Sequence, residues 1–370
     1  MKLKIGALLI SVLLLAACIR KTDTNTTIFS EEDSLEMAQA LSRQAKISTV
    51  LYADLETEPV GSPEEEDAAD DPAIWYNKAD PEGSLILGTD KKAGVYVYNL
   101  VGKVVQYLEV GMINNIDLRD GFIYQGHEVV LVAGSNRSNN CITLMVIDKE
   151  TGYLSDSLIN IPSGVDEVYG ITCFRYLEQN AFHVFVNGKG GKLEQWEVNG
   201  FDELNATLIR SLQLSSQPEG MVVNDQKAKL YVGVEQEGIF SLDARPEGDT
   251  ILHLLPGSDE SNPNISYDIE GLALFSYKDS EYLIASSQGN FSYAVYILEG
   301  QGAYLTSFIL SDASVDGVEE TDGLEVIISP LSTRFPQGLL VVQDGFNTDG
   351  CKARSQNFKY ISLRKVLDLL

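Results

Sequence analysis

Glu219-Gly220-Met221-Val222-Val223 and, 51 residues on, Glu270-Gly271-Leu272-Ala273-Leu274 are two copies of one pattern: an acid, a glycine and an apolar run of strand composition. Working outward, it returns as Asp71-Pro72-Ala73-Ile74-Trp75, Asp117-Leu118, Tyr169-Gly170-Ile171 and Asp322-Gly323-Leu324-Glu325-Val326. From first to last the spacings are 46, 52, 50, 51 and 52 residues, and Asp117-Leu118 is the weakest copy because it lacks Gly or Pro. Inside each unit a short apolar run leads to a polar or Gly-rich tip and then to an alternating strand such as Gly94-Val95-Tyr96-Val97-Tyr98. The tips are Asp90–Gly94, Ser135–Ser138, Asn187–Gly190, Glu235–Gly238, Ser287–Asn290 and Gln343–Gly345. Fourth strands follow, as in Lys103–Leu108 and Thr207–Leu212.

Six units of about fifty residues, each with four antiparallel strands, predict an all-β, six-bladed β-propeller. Lys46–Ala53 reads as a strand that completes the last blade and closes the ring, because little chain remains after Lys359-Tyr360-Ile361. An open pair of β-sandwiches is the alternative architecture. In a four-stranded blade, the start of strand one and the turn between strands two and three lie at the same end. Both recurrences therefore fall on one face, around the central channel.

The N-terminus has another character. Lys2 and Lys4 precede the apolar run Ile5–Leu15, which is short for a membrane span. Leu15-Ala16-Ala17-Cys18 resembles a bacterial lipobox, so residues 1–17 read as a signal peptide and Cys18 as the lipidation site. Residues 18–45 read as a polar tether carrying a short helix over about 31–43, and residues 46–370 as one propeller domain. The expected location is the cell envelope, as an exported lipoprotein at the outer membrane or in the periplasm. The membrane contact would be the lipid alone, and the expected state is a monomer. Cys141, Cys173 and Cys351 then remain, an odd number, and no disulfide is assigned.

The chain has 370 residues with 54 acidic against 27 basic, a net charge of −27. That balance excludes nucleic acid as a partner and points to cations. Asp67, Asp70, Asp71, Glu219, Glu235, Glu237, Asp268, Glu270, Asp316, Glu319, Glu320 and Asp322 are candidates for one acidic mouth. Oxygen ligands without His or Cys suit Ca²⁺. Lys91, Lys92, Arg137 and Lys189 form a basic arc on the first three tips, a pattern suited to phosphate or to ordinary solvated turns. Gly188-Lys189-Gly190-Gly191-Lys192 is not a phosphate loop, since Leu193 follows and no helix does. The three histidines, His127, His183 and His253, stand in or beside strands away from both rings, and no Gly-x-Ser-x-Gly elbow is present. Metal-assisted hydrolysis is the remaining route.

Asp67-Ala68-Ala69-Asp70-Asp71-Pro72-Ala73-Ile74-Trp75 closely resembles the signature of the β-propeller phytases, bacterial calcium-dependent enzymes that hydrolyse myo-inositol hexakisphosphate. The resemblance runs through Glu56-Thr57-Glu58-Pro59, Asn114–Arg119, Ser135–Ser138, Glu167–Gly170, Gln217–Met221, Asp268–Leu272, Ser286–Asn290, Thr321–Gly323 and Val342–Gly345, and covers residues 50–360. It implies a six-bladed propeller. It implies phosphate contacts and catalytic roles for Lys91, Arg137, Tyr169 and Lys189, with Lys92 as a further phosphate contact. For an active-site calcium cluster it implies Glu56, Asp71, Tyr169, Glu219, Glu235, Asp268, Glu270 and Asp316, and for more buried calcium sites Asp67, Asp344 and Asn347. The implied reaction is attack of a calcium-bound water or hydroxide on a phosphate monoester of calcium-phytate, with several Ca²⁺ ions as cofactors. Gly190 stands where family members often carry an acid, Asp120-Gly121-Phe122 is altered, and Glu64-Glu65-Glu66 is an added acidic insert. Two rivals remain open: a non-catalytic propeller binding a protein or glycan on its acidic face, and an enzyme for another phosphoester or a lactone.

If Cys18 carries lipid, Cys18→Ala abolishes palmitate incorporation in the native-type host and yields unlipidated or soluble protein. Equal labelling of both forms would remove the lipoprotein assignment.

Overall fold

Six sheets surround a central channel in the computed structural model, which describes residues 31–61, 67–349 and 352–370. The signal peptide, Cys18, Glu64–Glu66 and Cys351 lie outside the described residues. From inside outward, blade one comprises Ala69–Trp75, Leu85–Asp90, Gly94–Tyr98 and Val104–Leu108. Blade two comprises Ile113–Tyr124, His127–Asn136, Cys141–Ile147 and Ile159–Pro162. Blade three is Val168–Tyr176, Ala181–Gly188, Lys192–Asn199 and Asn205–Gln213, and blade four is Pro218–Asn224, Lys229–Val234, Gly238–Asp243 and His253–Leu254. Blade five contains Ile269–Tyr277, Ser280–Ser287, Ser292–Ile297 and Ala303–Leu310. Blade six contains Leu324–Ile327, Leu339–Asp344, Asn357–Ser362 and Leu55–Glu56.

Ring closure by the N-terminal segment holds, but the segment is divided. Thr49–Leu51 runs parallel to Ala303–Leu310 as a fifth strand of blade five. The chain then crosses, and Leu55–Glu56 pairs antiparallel with Tyr360 and Lys359 to complete blade six. Asp54, Thr57 and Val60 extend that pairing through backbone bonds to Tyr360, Phe358 and Gln356. The expected closing strand, Lys46–Ala53, thus belongs to the neighbouring blade. Leu55 packs with the core between blades six and one, whereas Leu51 packs with the core between five and six. The helix forms over Glu31–Gln44 and docks on the fifth tip: the Arg43 and Gln44 side chains donate to the carbonyls of Gly289 and Phe291, each at 3.1 Å.

Every pair of adjacent blades buries its own apolar cluster. Trp75, Leu87 and Val97 of blade one meet Ile116, Val132 and Met145 of blade two, and Ile86 of blade one meets Phe358 and Tyr360 of blade six. Equivalent clusters fill the other four junctions. A middle strand is covered on both faces, so Cys141–Ile147 is buried at every position rather than at alternate ones. Cys141 and Cys173 are buried free thiols within this packing. His183 is buried with its ring stacked on Phe174, while His127 and His253 are exposed.

Toward the mouth the inner strands converge, and five of them carry a register break where two residues escape the ladder. The first projects its side chain to the mouth. The second is squeezed against the next blade: a Cβ on Gly170 would stand 1.9 Å from the Glu219 carbonyl oxygen, and on Gly220 2.1 Å from that of Glu270. The acid–glycine pairs of the repeat are set by this close approach. Gly220→Ala should therefore fail to fold or lose at least about 3 kcal/mol in urea unfolding. Gly126→Ala, with nothing within 4 Å of its Cβ and a φ of +79°, should lose only about 1–2 kcal/mol.

Candidate active site

The register breaks define which residue of each blade faces the mouth. They are Asp70, Asn114, Tyr169, Glu219 and Glu270, with Asp322 at the entry to blade six. Two members differ from the repeat read in the sequence, which pointed to Asp71 and Asp117. Asp71 turns the other way, accepting from the Ile116 amide at 3.0 Å and lining a separate cavity of about 290 Å³ lower in the channel with Asp117, Arg119, Asp225 and Glu325. Asp117 is held there by Arg119, the Thr172 hydroxyl and the Cys173 amide. Asn114, three residues earlier on the same strand, takes its place in the ring.

A second ring comes from the tips. In every blade the residue that follows the second strand donates its amide to a carbonyl of the loop entering the inner strand: Lys91 to Ala68, Arg137 to Met112, Lys189 to Glu167, Glu235 to Gln217, Gln288 to Asp268 and Gly345 to Glu319. One backbone bond repeated around the axis thus leans each tip over the mouth. The resulting cavity, about 340 Å³, is lined by Asp67, Asp70, Lys91, Tyr169, Gln217, Glu235, Asp268, Glu270, Gln288, Glu320, Asp322 and Gln356. Arg137 and Lys189 stand on its rim. Lys92 is exposed on the first tip and does not line the cavity.

The carboxylates are crowded. Ligand oxygens of Glu219, Glu235 and Glu270 all lie within 4.8 Å of one another, and all three residues are buried. Burial, with the nearby Glu219 charge, holds the Glu270 carboxyl well above its usual range. Burial likewise pushes Asp70 and Glu235 up to about 7, and lifts Asp268 and Asp322. Neutral amides soften the repulsion. Asn114 donates to Asp70 at 3.0 Å and to Glu219 at 3.1 Å, Gln217 to Glu235 at 2.5 Å, Gln288 to Asp322 at 2.5 Å, and Gln236 to Asp268. Glu270 Oε2 is buried without any hydrogen-bond partner. A buried orphan carboxylate oxygen beside two more carboxylates fits a hard divalent cation bound through oxygen.

Three cations face this cage in different ways. Lys91 is 12% exposed and pairs with Asp67 at 2.7 Å, Asp70 at 3.0 Å and Asp322 at 3.6 Å. Arg137 reaches Asn114 at 3.2 Å and Glu167 at 2.9 Å. Lys189 pairs with Glu167 at 3.2 Å and lies 4.7 Å from the centre of the Tyr169 ring. The Glu219 charge, with burial, raises the Tyr169 hydroxyl, so it stays a neutral O–H. Gly190 donates its amide to Asp166, whose carboxylate occupies the space a side chain at 190 would need.

Glu56, Asp316, Asp344 and Asn347 do not join the mouth cavity. Glu56, Asp316 and Asp344 surround the fully buried Lys359 ammonium, at 2.6 Å for Glu56 and 3.1 Å for Asp344. Asn347 is buried nearby in sequence and donates to Ser355 at 2.6 Å. Asp67, grouped by sequence with buried calcium sites, is exposed at the mouth beside Lys91. The sequence reading assigned no roles to Asn114, Gln217, Gln288 and Glu167. Gln288 stands on the tip ring, and Gln217 and Glu167 stand two residues before Glu219 and Tyr169, whereas Asn114 joins the inner ring only once the register is known.

A family profile described as Phytase matches residues 17–370. A 3-phytase of Bacillus subtilis (strain 168) is 38% identical over 325 residues, spanning 85% of this chain and 84% of that protein. A solved structure of a functionally unknown protein from Desulfotomaculum acetoxidans DSM 771 aligns with a TM-score of 0.44 at 16% identity, over 64% of this chain and 71% of that one.

The raised carboxyls give the metal-free protein a stability term with a definite sign. Between unfolded values near about 4 and folded values near 7, the folded state binds more protons. That term is fully present below pH about 4 and is lost as pH rises through 7. In excess EGTA the melting temperature should therefore be lower at pH 8 than at pH 5, and calcium should close the gap. A metal-free protein equally stable at both values would show that the cage carries no such cost.

Proposed function

This chain belongs to the phytase family, and we propose that its mouth hydrolyses phosphate monoesters of myo-inositol hexakisphosphate, with calcium held by the acidic cage. The observation that carries this reading is the meeting of two opposite features on one mouth: the carboxylates around Glu219, Glu235 and Glu270, and the rim cations Arg137 and Lys189. A pure cation site has no use for the second. A simple anion site would not carry the first.

Glu219, Glu235, Glu270, Asp70, Asp268 and Asp322, with the Tyr169 hydroxyl, would hold the ions. When bound, calcium neutralises the cage, draws in the polyanionic substrate and supplies Lewis acidity at the phosphate ester. The chain's own groups do the rest. Arg137 offers a planar fork to two phosphate oxygens, and Asn114 fixes one arm of it. Lys189 rides on the Tyr169 ring, which holds the ammonium over the mouth without neutralising it. Charge that builds on the transferring phosphoryl group meets these two donors from the rim. Lys91 is engaged by three carboxylates and becomes available to phosphate only when they are otherwise neutralised. We propose further that the protein is an exported monomer tethered through lipid on Cys18.

Phosphate release from calcium-phytate, abolished by EGTA, tests the reading directly; none at any calcium level would overturn it. Lys189→Ala should lower kcat at least about tenfold, and Arg137→Ala should change both kcat and KM. Lys149→Ala is the control. Its partners are Asp120 and Glu128, far along blade two from the tip, and it should be near neutral.

A further inference from the structure

Arg137 and Lys189 come from different blades, yet they share a single oxygen. Glu167 Oε1 lies 2.9 Å from Arg137 Nη2 and 3.2 Å from Lys189 Nζ. Among the described residues the carboxylate has no other hydrogen-bond or ion-pair partner. A phosphate oxygen bridging the two cations would need the place this oxygen occupies.

The backbone of Glu167 is held in the blade, whereas its side chain lies partly in solvent. Its φ is +43°, a left-handed value that non-glycine residues seldom adopt and that gathers at functional sites. Its carbonyl accepts the Lys189 amide in the bond that repeats in every blade. The side chain, by contrast, is 47% exposed and can swing into solvent. One of its oxygens meets two cations at once, and the rest of the carboxylate faces solvent.

Resting on the phosphatase reading of the mouth, we propose that Glu167 is a resident counter-anion: it fills the phosphate subsite between Arg137 and Lys189 and must be displaced by substrate. The apparent affinity of that subsite is the intrinsic affinity reduced by the fraction of molecules in which the pair is free. The cost of displacement is the same for every ligand. A polyphosphorylated ester offsets it with contacts elsewhere on the mouth, whereas a lone phosphate cannot. Glu167 therefore selects for highly phosphorylated substrates and promotes departure of inorganic phosphate.

The test is titration of inorganic phosphate into the calcium-loaded protein by calorimetry. Glu167→Gln should tighten phosphate binding by about three- to tenfold. It should lower KM for phytate without raising kcat, and strengthen inhibition by product phosphate. Glu167→Asn removes the same charge with a residue that tolerates left-handed φ, and serves if the Gln variant is destabilised. In a Lys189→Ala background the gain from Glu167→Gln should vanish. Unchanged or weaker phosphate binding in both single variants would overturn the proposal and make Glu167 a mere support for the two cations. Because calorimetry needs no turnover, the two readings separate. A protein that gains phosphate affinity as described but leaves phytate intact refutes the hydrolase and keeps the counter-anion. A phytase indifferent to Glu167 does the reverse.

Discussion

At the mouth the converging inner strands leave room beside the axis for only one side chain per blade. Where Gly170 meets the Glu219 carbonyl and Gly220 meets that of Glu270, a Cβ would overlap backbone. The chain responds with a register break: one residue turns to the mouth and the next is a glycine or a small polar residue pressed on its neighbour. The same device draws the blades together at the top. The Gly271 amide donates to the Asp322 carbonyl at 3.1 Å and the Gly323 amide to that of Asp70 at 3.0 Å, so backbone bonds link blades five, six and one across the ring. The six apolar cores hold the blades face to face, and this crowding decides which side chains remain for chemistry.

Crowding of backbone produces crowding of charge. Asp70, Glu219, Glu235, Glu270 and Asp322 cannot all stay ionised in so small a buried space without a cation. The fold answers only in part. Lys91 takes three carboxylates, and Asn114, Gln217, Gln236 and Gln288 each donate an amide to one or two more. Glu270 Oε2 is left over. A cage that repels itself when empty is a site whose folding free energy and metal affinity are coupled. The Glu56, Asp316 and Asp344 group solves the same problem in another way, by burying Lys359 at its centre.

Repetition was legible in the sequence because each blade must present the same strand-tip-strand pattern. That gave the blade count, the shared face of the two rings and closure by the N-terminal segment. What it could not give was register to one residue. Asp70 and Asp71 are adjacent acids, and only the ladder shows that the first faces the mouth while the second receives the Ile116 amide below it. Blade two hid its ring member for a different reason. Asn114-Asn115 carries neither acid nor glycine, so the nearby Asp117 attracted the assignment. Glu56 and Asp316 meet a lysine 303 residues from one and 43 from the other, a contact no local pattern encodes.

The six equivalent tip positions also explain how one mouth can serve two opposite charges. Lys91, Arg137 and Lys189 hold the first three, and Glu235, Gln288 and Gly345 the last three. The backbone bond that leans them inward is the same in all six, so the difference lies in the side chains alone. The tip positions are therefore divided, with a cationic side chain on blades one to three and an acid, an amide or glycine on blades four to six. Each of these cations is paired with carboxylates of the mouth, Lys91 with Asp67, Asp70 and Asp322, and Arg137 and Lys189 with Glu167. In a symmetric fold with no preferred blade, that division is what breaks the symmetry.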